Sequence, residues 1–501
     1  MEDNVKVQAM LNEKGAKPSS FEGSSSFGQF ILSGLKKNSM LIALIVVVVY
    51  FGFATKGVIL LPRNVSNLIF QNAYIAILAV GMLLCILTGG NIDLSVGSSV
   101  CLVGAIAGEM MIVRKMPVLP SILLCLVLGL LIGVWQGFWI AYVGIPPFIA
   151  TLAGQLIFRG LSLIVLNGLT LAPFPKSFQN LFVDHIPDYF RKPLAAQHIT
   201  FVVLGIIAVA VVLFIAKILR SKFRKIEKFN TTVNAIIFYS ITAVIAAGIV
   251  FLTYWLATNK GLTHNFIIKE VVKVAENGKA AELPINITCI VFGIVAALLF
   301  LTIKILGRVR KIKKGYATGN AVVFYFFTAV SAAIIVFFSY WLAKYKGIPT
   351  VMITLIVVVL IYSVLTSMTV PGRYLYALGG NPKAARMSGI DTKKVMFFAY
   401  ANMSFLAGVA GLVFAARLNS ANPTAGQNFE LDAIASCFIG GASAYGGIGT
   451  VGGVLIGAAF MGIMNNGMNF MGFLTSHQQV VKGMVLLLAV AFDVISKRKS
   501  R

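Results

Sequence analysis

Acidic residues are scarce in this sequence. Its 501 residues include 16 Asp and Glu against 42 Lys and Arg, for a formal net charge of +26, and only 12% of residues are charged. Soluble domains carry about 25% charged residues. A chain this poor in charge, 58% hydrophobic and with a mean hydropathy of +0.90, is therefore not an ordinary soluble enzyme. Histidine occurs four times, as His185, His198, His264 and His477. All four lie near the ends of apolar runs and none sits in an H-E-x-x-H pattern, so they read as solvated or interfacial rather than metal ligands. The five cysteines, Cys85, Cys101, Cys125, Cys289 and Cys437, lie in or beside apolar runs without a C-x-x-C pair. Neither a disulfide framework nor a zinc site is indicated. A G-x-x-x-x-G-K-[ST] phosphate loop and a nucleophile elbow are both missing, so the chain has no recognisable machinery of its own for nucleotide or ester hydrolysis. The alternating polarity of barrel strands is missing too.

Long apolar runs recur along most of the chain instead. Each is long enough to cross a bilayer core of about 30 Å, and without barrel strands only helices satisfy the backbone there. The expected fold is an all-α polytopic helix bundle with about 14 spans between about residue 40 and residue 496. The weakest, ~428–445, is short and polar and reads as a candidate re-entrant segment. The basic residues fall between the runs, which makes them topology signals rather than a nucleic-acid surface. Lys217 to Lys228, Lys304 to Lys314, Arg373 to Lys394 and the final Lys497 to Arg501 form four groups. Alternation puts all four on one side, so both termini are expected in the cytoplasm. Residues 1–38 are polar and rich in Ser, Gly and Lys, with no signal-peptide cleavage pattern, and read as a flexible cytoplasmic tail.

The chain contains an internal repeat. "ITFVVLGIIAVAVVLFIAKIL" from Ile199 matches "ITCIVFGIVAALLFLTIKIL" from Ile287. Beyond a basic loop, "NAIIFYSITAVIAAGIVFLTYWLATNKG" from Asn234 matches "NAVVFYFFTAVSAAIIVFFSYWLAKYKG" from Asn320. This is a tandem duplication of a two-helix unit. It divides the chain into a tail (1–38), an N-terminal transmembrane half (39–200), the duplicated insertion (201–347) and a C-terminal half (348–501) with a cytoplasmic loop at 372–395. Neither copy shows a buried charge in its apolar runs, so the pair reads as peripheral scaffold or docking surface.

Three polar stretches interrupt the apolar background. In "TGGNIDLSVGS" from Thr88, Gly89 and Gly90 break a helix ahead of Asp93, with Asn91, Ser95 and Gly97 around it. A carboxylate at membrane depth costs about 2.5–3.5 kcal/mol on insertion scales, so Asp93 must face protein or water. It is suited to cap the next helix, to line a polar route, or to do both, as broken helices of transporters do. In the second stretch, from Ser420, Glu430 and Asp432 open the short span where acids suit a helix dipole, and Gly440–Gly441 mark another break. Gly453 and Gly457 add a G-x-x-x-G packing signal. In the third, Asn381–Pro382 starts a short helix through Ala384, Ala385 and Arg386 that Gly389 can end, either a docking helix or an ordinary basic loop. Glu109 and Asp493 are the other acids beside apolar runs.

Taken in order, "TGGNIDLSVGS", "FIATLAGQLIFRGL" from Phe148, "GRYLYALGGNPKAARMSGI" from Gly372, "ELDAIASCFIGGASAYGGIGTVGGVLIGA" from Glu430 and "NNGMNFMGFLTSHQQVVKGMVLLLAVAFDV" from Asn465 resemble the permease subunit of bacterial ABC importers for monosaccharides, the ribose/galactose/xylose class. "SANPTAGQNFELDAIA" looks most like the xylose and multiple-monosaccharide branch. The resemblance implies a ten-helix permease of the cytoplasmic (inner) membrane, usually a homodimer. It would work with two copies of a cytoplasmic ABC ATPase and an extracytoplasmic sugar-binding protein. No cofactor would bind this chain, ATP being held by the partner subunit. On that view Gly89, Gly90, Asn91, Asp93, Ser95 and Gly97 border the translocation pathway, with Glu430, Asp432, Gly440 and Gly441 as a second polar motif. Asn381, Pro382, Ala384, Ala385, Arg386 and Gly389 form the ATPase-coupling loop, and there is no catalytic or metal-ligating residue. The duplication departs from the shorter members. Three alternatives remain at this level: the same architecture carrying another solute such as a nucleoside, an ion-coupled secondary transporter using Asp93 or Glu109, and a structural membrane scaffold.

Overall fold

The computed structural model describes residues 39–188, 273–276, 279–282, 285–313 and 321–498. The helices in chain order are α1 (Ser39–Ala54), α2 (Pro62–Leu87), α3 (Val96–Gly108), α4 (Val118–Phe138), α5 (Pro147–Leu166), α6 (Lys176–Val183), α7 (Ile287–Lys313) and α8 (Ala321–Ala343). They continue as α9 (Val351–Met368), α10 (Val370–Gly380), α11 (Pro382–Met387), α12 (Thr392–Leu418), α13 (Phe429–Ile439), α14 (Val451–Phe470) and α15 (Thr475–Arg498). Two short strands, β1 (Lys273–Glu276) and β2 (Lys279–Glu282), pair antiparallel. Helices α3 and α4 each end in a widened π-helical turn, Glu109–Val113 and Trp139–Val143.

Among the described residues, nine helices are long and apolar enough to cross a membrane. They are α2, α3 with its π turn, α4 with its π turn, α5, α7, α8, α9, α12 and α14. The expected spans at ~198–219 and ~233–257, the first copy of the repeat, lie outside the described residues, as does the 1–38 tail. Where a span was expected at ~428–445 there is an 11-residue helix, α13, entered through non-helical backbone. The polar Asn422–Asn428 stretch accounts for this, since Pro423 and Gly426 oppose helix there. Helix α15 carries Thr475, His477, Gln478, Gln479 and Lys482 in its first turns, which lowers its hydropathy.

Helix α2 lies at the centre, with Ile77 to Leu87 almost entirely buried. From Ile75 onward it is apolar all round, as a helix surrounded by protein should be. It packs against α12, α14, α13 and α9. Helix α12 is the second central element and presents small residues (Ala399, Ala407, Gly408, Ala410, Gly411) that let neighbours approach. Gly129 and Gly133 of α4, four residues apart, meet it: a Cβ at Gly133 would lie 2.7 Å from the Ala401 Cα. Outer faces of α4, α5, α7, α8 and α9 expose large aliphatic and aromatic side chains, the surface lipid requires.

The second copy of the repeat forms α7 and α8, which pair with each other; α8 docks on the edge of α2, and its Trp341 Nε1 donates at 2.9 Å to the carbonyl of Leu60, in the turn just before α2. One expectation is corrected here: this copy does bury a charge. Arg308 is 8% exposed, with its guanidinium 4.7 Å from the Phe324 ring centroid. An arginine flanked by aromatic faces is read from sequence as a loop residue, but cation–π contact lets it sit inside the pair.

Loops α9–α12 and α13–α14 gather at one end, where Arg373, Lys383, Arg386, Lys393 and Lys394 are exposed. At this basic end four helices start on a side-chain cap: Thr369 for α10, Asn381 for α11, Asp391 for α12 and Thr450 for α14. The Asp391 carboxylate, accepting from the Lys394 and Lys393 amides, is held below the usual carboxylate range chiefly by the Lys394 bond.

Candidate functional site

Two helices are broken inside the bundle, and the breaks meet. The first lies between α2 and α3. Gly89 and Gly90 take φ values of +128° and +77°, which turn the chain where helix would otherwise continue. Asp93, fully buried, follows. Its Oδ1 accepts from the Ser95 amide at 2.9 Å and from the Ser95 hydroxyl at 2.7 Å. The acid therefore closes a turn two residues ahead of the helix, and Ser95, not Asp93, occupies the cap position. Gln136 of α4 donates to the Ser95 hydroxyl, and Ser404 of α12 lies 3.4 Å from the Gln136 carbonyl oxygen. A buried polar chain thus ties α3, α4 and α12 together. Asp93 Oδ2 has no hydrogen-bond partner among the described residues. Asn91 is half-buried and donates to Thr88 Oγ1 at 3.1 Å.

The second break lies between α12 and α13. The chain leaves α12 at Asn419, whose side chain accepts from the Phe174 amide at 2.9 Å and from Gln179 at 2.7 Å. Ala421 then pairs with Leu171 through two 2.9 Å backbone bonds. From there the segment runs back along α3: the Pro423 carbonyl lies 3.6 Å from Cys101 Sγ, and Gly426 abuts Gly97. Arg159 of α5 reaches in to donate to the carbonyls of Pro423 at 2.9 Å and Ala425 at 2.6 Å. Non-helical backbone within a bundle needs such partners, because lipid supplies none. Helix α13 then starts, with Glu430 and Asp432 buried in its first turn.

The N-termini of α3 and α13 therefore meet at Gly97 and Gly426. The Glu430 carboxylate stands beside Gly97, where a negative charge complements two positive helix ends. Beyond α13, Gly440 packs on Gly453 and Gly441 on Met40 of α1. The loop that follows returns to the first break: Gly446 lies against Gly89, Gly90 against the Ala444 carbonyl, and the Gly447 amide donates to the Leu87 carbonyl at 3.1 Å. The structure thus brings Gly89, Gly90, Gly97, Glu430 and the glycine loop into one assembly, with Asp93 and Ser95 buried at its edge. Asp432 faces the other way, toward α15, where Lys482 Nζ lies 2.9 Å from its Oδ1.

The third predicted group lies apart at the basic end. Asn381 caps α11 by accepting from the Ala384 amide at 3.0 Å, Pro382 opens it, and Ala385 anchors it, 4% exposed. Ala384, Arg386 and Gly389 are exposed, and Gly389 has a φ of +80° just past the helix. Glu109 pairs with Arg114 at 3.0 Å on the bundle's rim, and the Asp493 side chain lies outside the described residues. His185 sits between Ser66 (3.0 Å), Phe70 and Tyr345 at the end opposite the basic one. Among the described residues no cluster of His, Cys, Asp and Glu is arranged to hold a metal.

A cavity of about 460 Å³ opens between α2, α13, α14 and α15. Nine of its lining residues are Asn or Gln, among them Gln71, Asn72, Asn465, Asn469 and Gln479. Tyr74 and Phe429 form its aromatic wall, with ring centroids 4.6 Å apart, and the Asp432–Lys482 pair also lines it. Sequence reading did not single out Arg159, Gln136, Lys482 or these amides. The available signal was Asn465, Asn466 and Asn469, three amides within two turns of an otherwise apolar run.

Comparison with known proteins places the chain. The family model described as "Branched-chain amino acid transport system / permease component" matches residues 64–227 and 199–490. The xylose transport system permease protein XylH of Haemophilus influenzae is 33% identical over 460 residues, 92% of this chain and 96% of the relative. XylH of Escherichia coli K12 is 31% identical over 473 residues, 93% of this chain and 95% of the relative. The ribose import permease protein RbsC of Escherichia coli K12 is 46% identical over 147 residues, 29% of this chain and 46% of the relative. No solved structure gives a significant match.

Proposed function

The chain belongs to the branched-chain amino acid transport system / permease component family, and from that membership we propose that it is the membrane-spanning subunit of an ATP-driven importer of a monosaccharide, xylose or a related sugar. The observation that carries the reading is end-to-end similarity to two xylose permeases, across both broken-helix motifs and the loop containing α11. In this reading the chain is a transport subunit that leaves its substrate chemically unchanged, and ATP is bound and hydrolysed on a separate subunit.

The basic end faces the cytoplasm, following the positive-inside rule. That puts both termini inside, in a bacterial inner-membrane protein of about 14 spans once the first copy of the repeat is included. Helix α11 stands exposed on that face with Arg386 and Met387 outward and Ala385 inward, which suits it to dock an ABC ATPase. Two ATPase copies, a second permease copy and an extracytoplasmic sugar-binding protein complete the assembly. The crossing of α3 and α13 forms the part of the pathway that rearranges. Its exposed backbone groups and half-helix ends offer weak, exchangeable hydrogen bonds rather than one strong counter-ion, which suits a neutral, hydroxyl-rich solute.

The test is affinity purification from native membranes in mild detergent, followed by reconstitution with the partners it captures. A stoichiometric ATPase and ATP-dependent uptake of D-xylose or D-ribose support the reading. Gradient-driven uptake by the chain alone would overturn it and point to Asp93 or Glu109 as an ion-coupling group.

A further inference from the structure

We infer that the cavity between α2, α13, α14 and α15 is a binding station for the neutral monosaccharide inside the permease, in which side-chain amides read the hydroxyls and the Tyr74–Phe429 wall takes the sugar's C–H face. This rests on the importer reading above.

Its volume of about 460 Å³ falls within the ~300–1,000 Å³ of small-molecule sites. Its depth follows from helix geometry. Gln71 is ten residues into α2 and Lys482 eight residues into α15, both counted from the end opposite the basic one. At 1.5 Å per residue, both lie roughly 10–14 Å below that end, inside the bilayer. Amide groups at such depth are costly unless something satisfies them. Some are satisfied internally: Asn72 donates to the Leu68 carbonyl at 2.7 Å, and Gln478 donates to Asn469 Oδ1 at 2.7 Å. Asn465 Oδ1, however, is buried with no partner among the described residues. A surface this rich in amides fits a solute whose groups both donate and accept. Each amide presents a carbonyl and an NH2, and each sugar hydroxyl complements either one.

The amides, not a counter-ion, set the preference for a neutral solute. Asp432 and Lys482 neutralise each other at 2.9 Å, and Arg417 adds further N–H donors to the lining. The aromatic wall supplies the apolar surface that one face of a pyranose requires, and Phe414 braces it edge-on at 4.9 Å from both rings. The cavity also touches the moving parts. Gln427 and Asn428 belong to the second break and Phe429 opens α13, so a sugar held here contacts the segment that Arg159 restrains at Pro423 and Ala425.

The experiment uses the complete importer in proteoliposomes, with D-xylose and D-ribose as probes and ATPase stimulation by the loaded binding protein read in parallel. Asn465→Leu and Gln71→Leu should each raise the KM for uptake about tenfold, the value of one lost hydrogen bond. ATPase stimulation should stay within about twofold of wild type, because the complex still forms and cycles. Asn465→Gln should recover most of the uptake. Uptake by both Leu variants at wild-type KM overturns the site. A parallel fall in ATPase stimulation and uptake overturns it as well, since that marks a structural role. Stronger inhibition by D-xylonate than by D-xylose overturns the neutral class. A wild-type chain that captures no ATPase refutes the importer reading itself, an outcome distinct from all of these.

Discussion

The Asp432–Lys482 pair permits a quantitative test of how charge is tolerated in this bundle. The ammonium lies 2.9 Å from Oδ1 and 3.1 Å from Oδ2, and the side chains are 25% and 8% exposed. With an effective dielectric of about 20, the gross attraction at that distance is about 6 kcal/mol. Desolvation offsets most of it, so the pair's net contribution is small, while removing one partner leaves a buried charge uncompensated at a cost of about 3 kcal/mol. Lys482→Met should therefore destabilise the fold by about 3 kcal/mol. Asp432→Asn should cost less, about 1 kcal/mol, because the lysine stem lets its head reach water. The double variant should recover to within about 1 kcal/mol of wild type, giving a coupling of about 3 kcal/mol. Equilibrium unfolding in mixed micelles, followed by tryptophan fluorescence, measures all four corners of the cycle. Additive single effects would refute the argument, since they would mean that each group is solvated independently.

Gly97→Ala should destabilise by about 2 kcal/mol or more, because its Cβ meets the Gly426 carbonyl where the half-helices cross. Gly160→Ala on α5, where a Cβ meets nothing, should instead be neutral or stabilising by up to about 1 kcal/mol, and the two melting curves taken together check both. Asn381→Ala removes the α11 cap, worth about 1 kcal/mol locally, and should weaken ATPase capture in a pull-down without moving the global melting temperature. Burial, helped by the nearby Lys346 cation, holds His185 below the ordinary imidazole range. The unfolded chain then takes up this proton first, so stability is full above about pH 6.5 and declines as pH falls from there through the folded value. Melting temperatures at about pH 7.5 and about pH 5.5 should differ more for wild type than for His185→Gln.

Much of this was legible in the sequence because membranes simplify the code. A run of apolar residues has one structural solution there, so helices α2, α4, α12 and α14 follow from hydropathy alone. Asp93, Glu430 and Asp432 stand out because a carboxylate in such a run needs a reason. The sequence does not say which breaks meet. Gly97 and Gly426 are separated by more than three hundred positions, and nothing local pairs them. Nor does it separate Asp432 from Glu430, two residues apart on one helix, which the fold sends to different neighbours: Lys482 for one and the α3 N-terminus for the other. Arg159 was hidden for a related reason. A lone arginine on an apolar helix reads as a topology charge until the carbonyls of Pro423 and Ala425 are found beneath it.

The same geometry makes the basic end mechanically continuous with the breaks. Helix α10 ends at Gly379–Gly380, and Gly379 is wedged between the Leu87 carbonyl and the Gly447 backbone. Leu87 is the last residue of central helix α2, and Gly447 belongs to the loop between α13 and α14. One glycine at the foot of the exposed α10–α11 loop therefore touches both the end of α2 and the loop after α13 through main-chain atoms, with no side chain between them to absorb a shift. Tyr376, one turn earlier, adds a hydrogen bond of 2.8 Å to the Gly449 carbonyl. A displacement applied at α11 passes through Asn381 into α10, and α10 cannot move by even an ångström without moving Leu87, Gly447 or both. Close-packed backbone of this kind has discrete arrangements rather than a continuum. The absence of a Cβ at Gly379, Gly90 and Gly446 is thus what lets three chain segments share one small volume and respond together.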